Sequence, residues 1–158
     1  MSCRVVVIGY GNPGRGDDAA GPMLAEKIEE WNLPDVAVVS DYQLNVEHAA
    51  DLAESDLAIF IDASVDCQEP WMLTRLSPKN RNDFTTHAML PETVLETCVQ
   101  VYDVQPPAFV LAVKGENFEL GAGQSDEFLG RIDSAAGLLS EILRADDPVA
   151  ACREHSRA

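Results

Sequence analysis

The stretch Val5-Val6-Val7-Ile8-Gly9-Tyr10-Gly11-Asn12-Pro13-Gly14-Arg15-Gly16-Asp17-Asp18 decides how this chain folds. Its first four residues are an uninterrupted apolar run, the signature of a buried strand. From Ala20 to Trp31 the pattern turns helical, with Leu24, Ile28 and Trp31 recurring on one face. A glycine-rich turn between a strand and a helix usually holds an anion, because the helix start offers free N–H groups. This turn instead ends in two carboxylates, Asp17 and Asp18. That favours a cation or a site of peptide chemistry over a nucleotide phosphate. Either aspartate can also serve as a cap for the helix that follows.

Outward from this stretch, strands and helices alternate. Arg4–Ile8 reads as the first strand, Val36–Ser40 as the second, ending at Asp41, and Leu57–Ile61 as the third, ending at Asp62. Asn45 caps a short helix over Val46–Ala53, and Trp71–Leu76 reads as a strand at a sheet edge. Ser77–Met89 is polar and irregular, a candidate functional loop. Pro91 opens a helix whose buried stripe is Val94, Leu95, Cys98, Val101 and Tyr102. Phe109–Val113 follows as a strand. Ser125–Arg144 is the longest helix, with Phe128, Ile132, Ala135, Leu139 and Ile142 on one face. The expected fold is α/β: a three-layer sandwich in which a twisted, mostly parallel sheet of about five strands lies between helices. Residues 1–146 form a single domain in this reading, and 147–158 a loose polar tail.

Composition narrows the partners. Eleven basic residues against 27 acidic ones give a formal charge of −16, which repels a phosphate backbone and excludes nucleic acid as a partner. The same charge favours a cation or a basic protein segment. The four cysteines, Cys3, Cys67, Cys98 and Cys152, include no CxxC pair, which argues against a zinc ribbon, and Cys3 and Cys98 read as reduced core thiols. No leader precedes the first strand and no run is long enough to span a bilayer, so no membrane is involved and the cytoplasm is the expected location.

In a parallel sheet, sites form beyond the carboxyl ends of the strands. By that rule Asn12, Asp18, Asp41 and Asp62 gather at one edge. His87, in Thr85-Thr86-His87-Ala88-Met89, lies in the irregular loop. Each of these alone also reads as a cap, a strand end or a surface residue. Together Asp18, Asp62 and His87 are two carboxylates and an imidazole, a three-donor set suited to nickel, zinc or another first-row ion, with room for substrate. Two other readings remain at this level. Gly9, Gly11 and Gly14 match GxGxxG, the turn of a dinucleotide-binding module, against which stand Pro13 and the two aspartates. A non-catalytic nickel chaperone would use the same three donors. A covalent nucleophile has little support, since neither Ser64 nor Cys67 lies in a Gly-x-Ser-x-Gly elbow.

The chain resembles the nickel–iron hydrogenase maturation endopeptidases. The likeness rests on Gly9-Tyr10-Gly11-Asn12 through Gly16-Asp17-Asp18-Ala19-Ala20-Gly21, on Asp41, on Ile61-Asp62-Ala63 and on Thr86-His87 before a helix. The resemblance implies a hydrolase, a protease that removes the C-terminal extension of the hydrogenase large-subunit precursor once nickel has been inserted. It implies that Asp18, Asp62 and His87 are the metal-contacting, catalytic residues. It also implies that nickel is supplied by the precursor, with no organic cofactor. Asp18 is then the shorter variant of an acid that is glutamate in some members.

Overall fold

The computed structural model describes residues 3–78 and 89–157. Five strands form one sheet: β1 (Val5–Tyr10), β2 (Val36–Asp41), β3 (Leu57–Ser64), β4 (Trp71–Arg75) and β5 (Ala108–Lys114), in the order β2-β1-β3-β5-β4. The first four in that order are parallel, and β4 joins the edge antiparallel to β5. The helices are α1 (Ala20–Trp31), α2 (His48–Ala53), α3 (Pro91–Tyr102), α4 (Asp126–Leu143) and α5 (Pro148–His155).

Strand alternation builds two cores. Val5 and Val7 of β1, Leu57, Ile59 and Ile61 of β3, and Phe109, Leu111 and Val113 of β5 face Leu24 and Ile28 of α1 and the apolar stripe of α4. Val6, Ile8, Ala58 and Phe60 point the other way, against Ala49 and Leu52 of α2 and Val94, Leu95 and Cys98 of α3. Central strands buried on both faces read as unbroken apolar runs for this reason. The expected three-layer α/β fold is the one observed.

α1 crosses the sheet at unusually short range. A Cβ on Gly21 would lie 2.5 Å from the backbone N and O of Tyr10 and 2.8 Å from the carbonyl oxygen of Ile61. A Cβ on Gly9 would in turn run into the backbone of Gly21. Two glycines thus let a helix backbone rest directly on two strands.

The structure departs from the sequence reading at three places. The segment after Asp146 is not a loose tail: α5 buries Cys152 completely, and the Arg157 N–H donates to the Leu73 carbonyl of β4 at 2.9 Å. The local signal was Asp147-Pro148, since the Asp147 carboxylate accepts from the Ala150 N–H at 3.1 Å as an N-cap and Pro148 holds the first turn. Val101 and Tyr102, placed on the buried stripe of α3, are 65% and 45% exposed, and the stripe that packs on the sheet ends at Cys98. Neither Asp17 nor Asp18 caps α1. A 3-10 turn over Gly16–Ala19 intervenes, and the helix starts without a side-chain cap.

Gly21→Ala is expected to lower stability by about 1–3 kcal/mol or more, as overpacking against rigid backbone does, and urea unfolding checks it. Ala substitution at Gly130 or Gly137 of α4, where an added Cβ meets nothing, is the control and should be neutral or mildly stabilising.

Candidate functional site

The topology selects one crevice. β1 leads through α1 to β2 on one side, whereas β2 leads through α2 to β3 on the other side of β1. The helices after β1 and β2 therefore lie on opposite faces, and a cleft opens at the carboxyl ends of β1 and β3. Gly9 lies opposite Ile61, so the next residues, Tyr10 and Asp62, emerge side by side at its mouth.

The Tyr10 hydroxyl and the Ala63 N–H lie close to the Asp62 carboxylate and favour its charged form. Burial nevertheless pushes its carboxyl up to about 6, and the nearby charge of Asp18 adds to the rise. Burial and the charges of Asp62, Glu92 and Asp18 push the Tyr10 phenol far above its ordinary range, so it stays a donor. Asp18 reaches the cleft from the 3-10 turn. Its carboxylate accepts from the Asn12 N–H at 2.7 Å, across the glycine turn.

Asp17, its neighbour, points inward and is 3% exposed. Its Oδ2 accepts from the Glu116 N–H at 2.7 Å and the Asn117 N–H at 3.2 Å, while its own N–H donates to the Asn117 carbonyl at 2.8 Å. The adjacent carboxylates thus divide the work: Asp17 ties the turn to the segment after β5, and Asp18 is left for the cleft. Gly16, at φ 56°, makes the division possible, because the left-handed backbone reverses the chain against Asn117.

Asp18 and Asp62 both face the cleft, near enough for the charge of one to act on the other. His87 lies outside the described residues. Among the described residues, no third histidine, cysteine, aspartate or glutamate joins the two acids in a metal-holding group. Asp41 is engaged elsewhere. Its Oδ1 accepts from the Tyr42 N–H at 2.7 Å and its Oδ2 lies 3.5 Å from Nε2 of His48. His48 is buried, and its Nδ1 accepts from the Asn45 N–H at 3.0 Å. That leaves the proton on Nε2, facing Asp41, and makes the pair a brace between β2 and α2. Cys67 is buried, and its thiol donates to the Glu69 carbonyl at 3.1 Å, which accords with an ordinary loop cysteine.

Sequence reading missed Tyr10 and Glu92. The signal for Tyr10 was local: a tyrosine one step beyond an apolar strand is suited to a buried ring with a polar tip at the rim.

The turn is poorly suited to a dinucleotide. The Asn12 N–H is committed to Asp18, the Gly14 N–H to the Asn12 side chain at 2.8 Å, and the Arg15 N–H to the Asn12 carbonyl at 3.0 Å. Amides that would cradle a pyrophosphate already have partners.

Comparison with solved structures follows the same line. A NiFe hydrogenase maturation protease, HycI, from Thermococcus kodakarensis KOD1 superimposes with a TM-score of 0.72 at 25% identity, covering 90% of this chain and 94% of that one. The hydrogenase maturating endopeptidase HybD from E. coli gives 0.69 at 23% identity, over 89% and 92% of the two chains. A hydrogenase 2 maturation peptidase from the Thaumarchaeota archaeon SCGC_AB-539-E09 gives 0.65 at 22%, over 89% and 97%. No family model matches the sequence, and no curated protein does. The chain shares with these proteins an α/β fold whose parallel strands open a cleft at the switch point. The resemblance read from the motifs is borne out in the fold, which is that of solved hydrogenase maturation proteases.

Two outcomes are expected. A carboxyl whose native pKa of about 6 exceeds its unfolded value costs stability above pH 6, and the cost vanishes below about pH 4, where both states are protonated. Asp62→Asn should therefore stabilise the protein at pH 8, by up to about 3 kcal/mol, with the gain fading toward pH 4 in thermal unfolding. Asp17→Ala should cost about 2–3 kcal/mol at pH 7, since it strips the acceptor from two backbone amides, and loss of hydrogen-exchange protection should appear first at Glu116 and Asn117.

Proposed function

We propose that this protein is the endopeptidase that removes the C-terminal extension of a nickel–iron hydrogenase large-subunit precursor after nickel insertion, with the precursor-bound nickel as the recognition signal. One observation carries the reading: Asp18 and Asp62, 44 positions apart in sequence, meet at the switch-point cleft of a maturation-protease fold, with Asp62 desolvated.

In this reading Asp18, Asp62 and His87 complete the coordination of an ion already held by precursor thiolates. Oxygen and nitrogen donors suit nickel. The described chain resumes at Met89, which packs on the α2–α3 core, and Glu92 in the first turn of α3 acts on Tyr10. His87 stands shortly before that point in sequence, which supports including it. The contact would fix the adjacent peptide bond relative to the cleft. The substrate's ion polarises the scissile carbonyl or activates water. Attack by water breaks the C–N bond, leaving a carboxyl terminus on the mature subunit and a free amine on the released tail. Either acid, when free of the ion, can take the proton of the attacking water as a general base. Tyr10 holds Asp62 in one orientation through its hydroxyl. We place the protein in the cytoplasm. Among the described residues no helix is long and apolar enough to cross a membrane.

The test is cleavage of nickel-loaded precursor, followed by gel mobility, beside precursor without nickel. Wild-type protein should cut only the loaded form. Asp18→Asn, Asp62→Asn and His87→Ala should each lose activity by roughly 100-fold or more. Undiminished cleavage by Asp62→Asn and His87→Ala would overturn the assignment. Tight binding of nickel alone by the wild type, with the precursor left uncut, would replace it with the chaperone reading.

A further inference from the structure

The two edges of the sheet are treated differently. Along β4 the C-terminal segment closes in: the Arg157 N–H bonds to Leu73, Arg157 bridges to Thr74, and its guanidinium pairs with Glu69. At the opposite edge, β2 pairs with β1 on one side, and among the described residues no strand pairs with its outer side. Ala37 and Ser40 stand exposed there. A bare strand edge is a template for another extended chain, and natural sheets usually cover or blunt it.

Beside this edge runs a groove of about 460 Å³ between β2 and α1, with Val38, Met23, Pro13 and Pro22 along it. Its outer wall carries Glu26, Glu29 and Glu30, all exposed. The groove continues past Pro13, Pro22 and Ser40 into a second hollow of about 260 Å³ formed with Gly11, Asp41 and Tyr42. That hollow borders the glycine turn from which Asp18 enters the cleft. A continuous path therefore leads from the free edge of β2 to the rim of the site.

We infer that this edge and groove bind an extended, basic segment of the precursor, which adds as a strand outside β2 and leads the chain to the cleft. Backbone pairing supplies affinity, the apolar floor takes alternate side chains, and the glutamates select lysine or arginine on the outward positions. An added strand lies three sheet spacings from β3, about 14 Å. An extended chain spans that in roughly four residues at about 3.3 Å each. The bound segment is thus separated from the scissile bond by at least about four residues.

The inference rests on the maturation reading for the identity of the partner, and its test is arranged to separate the two. A fluorescent peptide of four Lys-Val repeats is titrated by anisotropy against the whole protein, with a Glu-Val peptide of equal length as comparison. The Lys-Val peptide should bind saturably and the Glu-Val peptide should not. The triple variant Glu26→Lys, Glu29→Lys, Glu30→Lys should weaken binding at least tenfold. A matched variant on the exposed faces of α4 and α5, Glu127→Lys, Glu141→Lys, Glu154→Lys, carries the same change of charge and should bind as the wild type does. With nickel-loaded precursor, the groove variant should raise KM at least tenfold and leave kcat unchanged. Absence of saturable binding, equal loss in both triple variants, or an unchanged KM would each overturn the inference. Failure of the wild type to cut the precursor, with peptide binding intact and confined to the groove, would sink the maturation reading and leave the groove as a binding site for basic peptide.

Discussion

The contact between Gly9 and Gly21 is the constraint on which the rest depends. Without two Cβ atoms, the backbone of α1 rests on the ends of β1 and β3. That closeness leaves no room for an open loop between strand and helix. The chain instead folds into a tight glycine turn and a 3-10 turn, which brings the Asp18 carboxylate back to the Asn12 N–H. Residue 18 thereby arrives beside Asp62, although its strand ended eight residues earlier.

A second consequence is the unequal fate of the two adjacent aspartates. In the 3-10 turn, successive side chains point in different directions. One is driven under the segment following β5, where backbone amides compensate its burial. The other stays half-buried at the cleft with one amide partner. The buried one is the stronger structural element, because an ionised group without partners could not remain in that position. The same logic explains Asp62. The nearby Tyr10 phenol and Ala63 amide do not offset its desolvation, and its carboxyl stays raised.

The free edge of β2 fits the same design. The helix that Gly21 draws onto the sheet leaves a groove along β2, and the charge of that helix faces outward over it. Catalytic cleft and docking groove would then share one element, α1, whose seat on the sheet positions both.

Much of this was legible in the residues themselves. Central strands announced themselves as apolar runs, because burial on both faces demands it. The positions of Asp18 and Asp62 followed from the rule that parallel strands deliver their following loops to one edge. Local chemistry also carried what was overlooked, as the Asp147-Pro148 start of α5 shows. Other features had no local signal. Nothing near Asp17 distinguishes it from Asp18, since its partners, Glu116 and Asn117, lie about a hundred residues away. That Tyr10 would stand beside Asp62 depended on strand register, and that no strand among the described residues pairs with the outer side of β2 depended on strand order. The sequence by itself determined which residues were apolar, turning or acidic, because those are properties of side chains. Only the tertiary structure decided which acid was buried and which was left at the cleft, because desolvation is set by neighbours brought from distant parts of the chain.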